Sequence, residues 1–374
     1  MKIRGIFAKL LLAGLFLVII SLVTYGMESG IKSSSDDINI LMDTFTQSSE
    51  NPFSFDWTPH APIEIDSDID FLSLGFNGSG SEVDPYIIED YIIRPNDDST
   101  SAISITGTTR YFIIRDCYMD WGRTGIHIDN VEDNTVELIN NICSFNTYTG
   151  IEISRSTGAN LINNTCTHNE VFGILMTDSP YSILTNNICN NNLGNGLGLS
   201  ENSFTSLFDN NFKGNGQYGI LLGLDSDSCI ITSNLFEETH FVAILVRSHE
   251  NIIYNNTFIE NNLFEYLGSS SQAHDEGKSN NWFNSETKKG NFWSDLGDKC
   301  KYAIDGSANS KDFYPLNRRL SCPNPITISA ISIVIPLLIG GSILAFVTPK
   351  YILPYIKRKN IKDKTATLFK RIKI

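Results

Sequence analysis

Two short sequence phrases recur every 22 to 25 residues through the middle of this chain of 374 residues. The first phrase is a Gly or Ala followed by apolar residues at alternate positions. A fixed period of this length predicts a stack of similar units rather than one closed globular core. Its six copies are Gly125-Ile126-His127-Ile128, Gly150-Ile151-Glu152-Ile153, Gly173-Ile174-Leu175-Met176, Gly196-Leu197-Gly198-Leu199, Gly219-Ile220-Leu221-Leu222 and Ala243-Ile244-Leu245-Val246.

The second phrase is an Asn-rich turn that ends in Cys or Phe, as in LINNIC from Leu138 to Cys143. Asn tolerates the left-handed backbone of a tight turn, and Asn side chains stacked in register can hydrogen-bond to one another. We therefore expect one column of turn amides and one inward column of Cys and Phe. The closing residues are Cys143, Cys166, Cys189, Phe212, Phe236 and Phe258, and the Asn residues two positions earlier are Asn141, Asn164, Asn187, Asn210, Asn234 and Asn256.

Each repeat contains two or three short runs in which apolar residues alternate with period two. That period is typical of β-strands, and no run has the 3.6-residue period and length of an amphipathic helix. Strands this short bury a face only when they are wound into coils that stack about 4.8 Å apart. The sequence therefore predicts an all-β parallel β-helix of seven or eight coils over residues 61–265.

The repeats resemble those of the right-handed parallel β-helix superfamily, which includes pectate-lyase-like proteins and the NosD-like group of carbohydrate-binding proteins and sugar hydrolases. The segments Gly75–Gly80 and Asp84–Glu89 are similar to the phrase that precedes the coils in archaeal surface β-helix proteins. Gly290–Asp295 and Tyr314–Leu316 are similar to the phrase that follows them. The resemblance covers residues 60–318 and implies the fold. It leaves the activity open, because this fold carries lyases, hydrolases, epimerases, adhesins and accessory proteins.

Relatives of this kind often carry an Asp- and Gly-rich stretch, of a type that can bind calcium, between the two closing segments. Leu296–Gly306 lacks that composition in this chain. Calcium is therefore not indicated, and we predict neither a cofactor nor a metal site.

The amino-terminal part of the chain carries a signal for export. Three basic residues precede an apolar stretch, which predicts a signal peptide or an N-terminal anchor over residues 1–26. The following residues, 27–60, are rich in Ser, Asp and Thr and are expected to form a flexible spacer. At the other end of the coils, residues 266–323 lose the repeat and are expected to cap it.

The carboxyl-terminal part carries a signal for membrane attachment. Ile326–Thr348 contains no charged residue over 23 positions, which is long enough to cross a bilayer. We therefore expect a transmembrane helix over residues 324–349. The tail, residues 350–374, has nine basic residues and one acidic residue. By the positive-inside rule, the tail is predicted to be cytoplasmic and the β-helix to lie outside the cell.

Charge is distributed unevenly along the chain. The formal net charge is −14, with +3 on residues 1–26 and +8 on residues 348–374, which leaves −25 for the segment between them. A strongly acidic surface repels nucleic acids and other polyanions. We therefore exclude nucleic acid as a partner and retain a polysaccharide or surface glycan as the candidate partner. The composition does not indicate an oligomeric state.

Cys143, Cys166 and Cys189 occupy one repeat position and are expected to stack inside the coils. The first interpretation is a column of small, buried, reduced side chains. The alternatives are a disulfide between one pair of neighbouring coils and a thiolate metal site. A disulfide between Cys300 and Cys322 could close the cap.

The outward positions of the early coils form a polar cluster. Equivalent residues lie about 5 Å apart in neighbouring coils and about 10 Å apart two coils away. Carboxylates at such distances could act as acid and base on a glycosidic bond. The same cluster could bind a ligand without catalysis, or its members could be ordinary solvated charges. The candidate residues are His127, Asp129, Glu152, Arg155, Asp178 and Glu201.

The outward positions of the later coils are more apolar. Such a strip either contacts a partner or lies beneath a loop of the same chain, and we expect loop cover. The strip consists of Leu175, Leu221 and Leu245, with Phe172, Tyr218 and Phe241 nearby.

These observations predict a membrane-anchored cell-surface β-helix that binds glycans or surface partners without catalysis, in adhesion or envelope organisation. The first alternative is a glycoside hydrolase or polysaccharide lyase that uses the polar cluster. The second is a NosD-like accessory role in the maturation of a copper enzyme. This alternative rests on the resemblance alone, because the six His and five Met residues show no copper-site pattern.

Overall fold

Parallel β-strands dominate the computed structural model, which describes residues 57–319 and 321–322. The chain passes in turn through three parallel sheets, so that one circuit contributes one strand to each sheet. Each strand pairs with its equivalents in the coils before and after it. Crossovers between parallel strands are right-handed. The fold is the right-handed parallel β-helix that the repeats predict.

Each sheet contains one recurring part of the repeat. Sheet 1 contains the Gly-Ile phrase and has nine strands: Ile63–Ile65, Ile103–Thr106, Thr124–Asp129, Thr149–Ser154, Phe172–Thr177, Asn195–Ser200, Ile220–Leu222, Ile244–Val246 and Ala273–Asp275. Sheet 2 precedes the Asn turn and has eight: Tyr86–Glu89, Phe112–Arg115, Val136–Ile139, Asn160–Ile162, Ile183–Thr185, Ser206–Phe208, Ile230–Thr232 and Ile252–Tyr254.

Sheet 3 contains the Cys or Phe positions and consists of two runs of strands that single β-bridges at Ile188 join. The first run contains Thr58–His60, Tyr91–Ile93, Tyr118–Asp120, Ile142–Ser144 and Thr165–Thr167. The second run contains Asn211–Lys213, Leu235–Glu237, Thr257–Ile259 and Phe292–Trp293. The remaining elements are the α-helix Asp68–Ser73, the 3-10 turn Tyr266–Gly268 and the antiparallel pair Tyr302–Ala303 and Lys311–Asp312.

Equivalent inward residues stack directly on one another along the coils. Ile126 pairs in register with Ile151, which pairs with Ile174, and all three side chains are fully buried. Burial of one such side chain contributes roughly 1.5–3 kcal/mol. Because most strands have only three or four residues, stability comes from the repetition of this contact rather than from any single strand.

Gly at the start of the first phrase allows neighbouring coils to approach closely. A Cβ atom on Gly150 would lie 2.6 Å from the carbonyl oxygen of Gly173 and 2.9 Å from Nδ2 of Asn169. The equivalent atom on Gly125 would lie 2.6 Å from the carbonyl oxygen of Gly150. Real Cβ atoms do not tolerate such contacts with backbone, which explains why Gly recurs at this position.

The turn Asn residues form a buried ladder, as predicted. Asn187 is typical: its Nδ2 donates to Oδ1 of Asn210 at 3.0 Å and to the carbonyl oxygen of Leu161 at 2.9 Å. Its backbone N–H also donates to Oδ1 of Asn210. The side chains therefore satisfy buried backbone groups at a corner where no strand partner is available. The first amide ladder consists of Asn141, Asn164, Asn187, Asn210, Asn234, Asn256 and Asn291.

A second amide ladder, which the sequence analysis missed, lies in the turn between sheet 3 and sheet 1. Nδ2 of Asn169 donates to Oδ1 of Asn192 at 3.0 Å and to the carbonyl oxygen of Cys143 at 3.1 Å. Its members recur every 23 residues, so the signal was present in the sequence. They are Asn146, Asn169, Asn192 and Asn215.

The two Asn residues of each NN pair have different roles. The first residue has a left-handed backbone, with φ of 56° at Asn140, 57° at Asn163 and 56° at Asn186. It makes the sharp turn, since Asn adopts this conformation more readily than most residues. The second residue is buried and belongs to the first amide ladder.

The Cys and Phe positions form one inward column. The thiols of its three Cys residues are free and buried, as the first interpretation predicts. Burial raises the pKa of Cys166 and Cys189 well above the ordinary value, so these thiols stay protonated. Farther along the column, the ring of Phe236 stacks between those of Phe212 and Phe258, with centroids 5.2 Å and 4.9 Å away. The column consists of Cys143, Cys166, Cys189, Phe212, Phe236, Phe258 and Trp293.

Aromatic side chains cover the apolar column towards both ends. Phe71 of the short helix stacks on Tyr86, with ring centroids 4.5 Å apart. At the other end Trp293 stacks 3.9 Å from the ring of Tyr302, which extends the inward column beyond the coils. The predicted disulfide between Cys300 and Cys322 is present in this C-terminal region.

The coils extend beyond residues 61–265. Thr58–His60, predicted to belong to the spacer, pairs with Tyr91–Ile93 in sheet 3. Ala273–Asp275 and Phe292–Trp293, predicted to belong to the cap, add one strand each to sheets 1 and 3. Longer connections separate these strands, so they do not keep the period that identifies the other coils.

Several predicted segments lie outside the described residues. They are the signal peptide or anchor of residues 1–26, most of the spacer, the transmembrane helix of residues 324–349 and the tail of residues 350–374. Within residues 57–319 and 321–322, no helix has the length and apolar character needed to cross a bilayer.

We predict that Asn187→Ala lowers the free energy of unfolding by about 2–5 kcal/mol, because it leaves several buried backbone groups without partners. Urea denaturation followed by circular dichroism measures the change. The control is Asn186→Gly at the exposed neighbouring position, which keeps the left-handed turn and should change the value by less than about 0.5 kcal/mol. Equal effects of the two substitutions would contradict the role assigned to the ladder.

Candidate functional site

The outward row of sheet 1 brings two of the predicted residues together. Register pairing places His127 next to Glu152, with Nδ1 of the imidazole 3.3 Å from Oε2 of the carboxylate. The Glu152 side chain is only 14% exposed and that of His127 is 26% exposed. Both side chains are therefore partly ordered by packing while one edge of each stays open to solvent.

Arg123 completes this group and was not predicted. Its Nη1 lies 3.6 Å from Oε2 of Glu152, and its guanidinium lies over the ring of Tyr148 at 4.6 Å from the centroid. Arg123 precedes the strand in the turn from sheet 3, so the repeat pattern does not mark it as an outward residue of sheet 1. We define the polar network as Arg123, His127, Tyr148 and Glu152.

A second pair lies just past the end of the sheet 1 strands. Nε of Arg155 donates to Oδ1 of Asp129 at 3.0 Å, and Nη2 of Arg155 contacts Oδ2 of the same carboxylate. The hydrogen bond that Arg155 donates to Asp129 raises the pKa of Arg155, and the charge of Asp178 acts in the same direction. Asp129, Arg155 and Asp178 thus form an alternating row of charges across three coils.

Three of the predicted residues lie at sharp turns of the backbone just past the sheet 1 strands. Arg155, Asp178 and Glu201 each have a left-handed backbone, with φ of 49°, 48° and 57°. All three side chains are exposed. Among the described residues, Glu201 has no side-chain hydrogen bond or ion pair with another candidate. The structure therefore divides the predicted cluster into the polar network, the row of Asp129, Arg155 and Asp178, and the separate Glu201.

Part of the apolar strip of the later coils lies beneath another part of the same chain, as expected, whereas Leu175 and Phe172 lie outside this covered cluster. Tyr218 and Leu245 are buried in a small cluster on the outer face of sheet 1, against which Tyr266 packs. Tyr266 belongs to the connection between the eighth and ninth coils, and its ring lies 5.5 Å from that of Tyr218. This connection closes the outer face at the end opposite to the polar network.

A family model described as "Periplasmic copper-binding protein (NosD)" matches residues 64–297, which is more than half of the chain. The chain belongs to the NosD family. This match confirms the predicted resemblance of the repeats to the NosD-like group. No curated protein and no solved structure matches the chain.

The family description names copper, which binds a characteristic set of donor atoms in proteins. Copper ions are held by clustered thiolate, thioether or imidazole groups. Among residues 57–319 and 321–322, no group of three or more His, Cys, Asp or Glu is placed to hold a metal ion. The five free thiols are buried, and burial raises the pKa of Cys117 and Cys229 to about 12.

The six imidazoles also have separate environments. His127 pairs with Glu152, and His274 lies 3.6 Å from Glu276. The ring of His168 stacks on that of Phe145. The described residues therefore do not fit a copper site. Absence of a cofactor remains a prediction for the whole chain.

Proposed function

We propose that this NosD-family protein is a non-catalytic binding protein that holds glycans or other surface molecules outside the cell. The observation that carries the proposal is the polar network on the outer face of sheet 1. Glu152 is fixed by His127 on the next coil and by Arg123 from the preceding turn. Such a prearranged set of donors and acceptors suits the hydroxyl groups of a sugar.

The pairing of the charges favours binding over catalysis. A glycoside hydrolase needs one protonated carboxyl group as acid and one free carboxylate as nucleophile or base. Glu152 faces Arg123 and His127, and Asp129 accepts two contacts from Arg155. Both carboxylates are therefore already engaged by side chains of the same chain. Arg155, the candidate base of a lyase, is itself engaged by Asp129.

The charge of the ectodomain selects among ligands. The segment between residues 26 and 348 carries −25. Polyanions such as uronate or sulfated polymers would meet strong repulsion at such a surface. Neutral glycans, or glycans that carry amino sugars, meet no such barrier and fit the proposal best.

The proposed location is the cell surface, with the β-helix anchored by one carboxyl-terminal span. Membership of a family described as periplasmic supports a location outside the cytoplasm. The uncharged segment Ile326–Thr348 and the nine basic residues of the tail support the anchor and its orientation. This arrangement would present the coils to the exterior.

We expect the purified full-length chain to bind one or more neutral or amino-sugar glycans on a glycan array. Glu152→Gln should weaken that binding at least tenfold, because the amide lacks the charge that holds Arg123 and offers only one oxygen to Arg123 and His127 together. The matched control is Glu137→Gln, which alters an outward glutamate on sheet 2 that contacts Asn160 and should leave binding unchanged. Absence of binding to every glycan on the array would refute the proposal and favour a protein partner.

Catalysis is the first alternative, and the same preparation tests it. Incubation with each bound polysaccharide, followed by chromatography of the products, should show intact polymer. Release of shorter fragments, together with its loss in Asp129→Ala or Glu152→Ala, would establish a glycan-active enzyme in place of a binding protein.

An accessory role in copper-enzyme maturation is the second alternative, and the description of the family favours it. We expect less than one equivalent of copper to remain on the full-length chain after equilibrium dialysis against micromolar Cu(II), or Cu(I) under reducing conditions. The reason is the dispersed imidazoles and the buried, protonated thiols. Retention of one or more equivalents at micromolar affinity would place the copper alternative first.

The proposed topology can be tested by labelling engineered cysteines. In intact cells a membrane-impermeant maleimide should label Ser285→Cys, which is exposed in the C-terminal region. It should label Thr367→Cys in the tail only after the membrane is permeabilised. The native free thiols are all buried and give a low background. Labelling of both sites in intact cells would exclude the predicted orientation.

A further inference from the structure

One exposed and one half-buried aromatic residue occupy positions where the backbone disfavours them. Trp121 and Phe145 have φ of 61° and 57°, in the left-handed region. Farther along the same column of turns come His168, Asn191, Gly214 and Glu238, with φ of 58°, 54°, 62° and 53°, so the turn accepts several residue types. Asn and Gly adopt this conformation readily, whereas bulky side chains rarely do. The two rings are therefore not explained by the needs of the turn, and strain of this kind is often found at functional sites.

The rings form a ladder on the outside of the coils. The ring centroids of Trp121 and Phe145 lie 5.3 Å apart with an angle of 10° between planes, and His168 stacks 5.0 Å beyond Phe145. Burial lowers the pKa of His168, so its ring is uncharged near neutral pH. Trp121 keeps 54% of its surface exposed. Trp282 and Trp293, by contrast, are fully buried.

This aromatic ladder lies beside the polar network. Trp121 is two residues before Arg123, and Phe145 is three residues before Tyr148, on neighbouring coils. Arg123 packs over Tyr148 and reaches Glu152. The same two coils therefore carry aromatic carbon in the turn from sheet 3 and paired donors and acceptors where that turn enters sheet 1. A pyranose ring has the same two parts, an apolar C–H face and an edge of hydroxyl groups.

We propose that Trp121 and Phe145 form the stacking platform of a sugar-binding site whose hydrogen-bonding edge is the polar network. The ligand class is a neutral or amino-sugar hexopyranose unit of a longer glycan, with most hydroxyls equatorial so that one ring face is apolar. This assignment rests on the proposed function and specifies the site and the ligand. An aromatic surface supplies affinity for C–H groups with little entropy loss, because Trp and Phe have few rotatable bonds.

The test uses tryptophan fluorescence and calorimetry on the full-length chain, with cellohexaose, chitohexaose and mannohexaose as probes. At least one probe should shift the emission of the protein, because Trp121 is more exposed than the chain's other tryptophans. Trp121→Gly should abolish the shift and weaken calorimetric binding at least tenfold. Gly adopts the left-handed turn without strain, so the variant is expected to fold.

The matched control is Phe204→Gly. Phe204 is also exposed, has φ of 62° and stacks 5.0 Å from Tyr181, but it lies in the turns on the other side of sheet 1. The Phe204→Gly variant should bind the probe as the native chain does, and its melting temperature should change about as much as that of Trp121→Gly. Equal loss of binding in the two variants would show that removal of either exposed ring weakens binding, wherever the ring lies. That result would refute the assignment of the platform to Trp121 and Phe145.

The outcomes separate this inference from the proposed function. If a probe or an array glycan binds the native chain and Trp121→Gly binds it equally well, the platform is wrong while glycan binding stands. If Trp121→Gly loses binding and Phe204→Gly does not, the platform is established. If no glycan binds the native chain at all, the proposed function fails and the platform fails with it.

Discussion

The buried amide at each corner of the coil is the interaction on which the rest of the structure depends. A coil must turn sharply between sheets, and at the turn the N–H of Asn187 and the C=O of Leu161 bond to an Asn side chain instead of to a strand. Asn187 supplies both a donor and an acceptor there, to Asn210, Leu161 and Asn164. Because an unpaired buried polar group costs about 1–3 kcal/mol, the same amide has to recur in coil after coil.

This constraint separates the residues that build the coils from those that can vary. The two amide ladders, the Gly positions and the inward apolar columns are fixed by contacts with the coils on either side. Outward residues have no such restriction, and along sheet 1 they change from His127 and Glu152 to Leu221 and Leu245. The polar end stays open and holds the proposed site, whereas Tyr266 covers part of the apolar end. Function in a solenoid of this kind therefore depends on the positions that the repeat leaves free.

Sequence analysis succeeded where one residue type recurred with a constant spacing. The strands, the first amide ladder and the reduced Cys column all follow from such spacing. The second amide ladder has the same 23-residue spacing, so the sequence carried its signal too. The strands Ala273–Asp275 and Phe292–Trp293 were assigned to the cap for a physical reason. The long connections before Ala273 and Phe292 break the period while the strands still pair in register.

The sequence by itself determined the right-handed β-helix, the position of its core and the set of outward residues from which a site could be built. Those features depend on local periodicity and on contacts that repeat. Only the tertiary structure decided which outward residues meet. Arg123 reaches Glu152 from a turn 29 positions earlier, and the rings of Trp121 and Phe145 stack across two coils. Such contacts depend on side-chain direction at turns and on the covering segment near Tyr266, and neither feature is repeated along the chain.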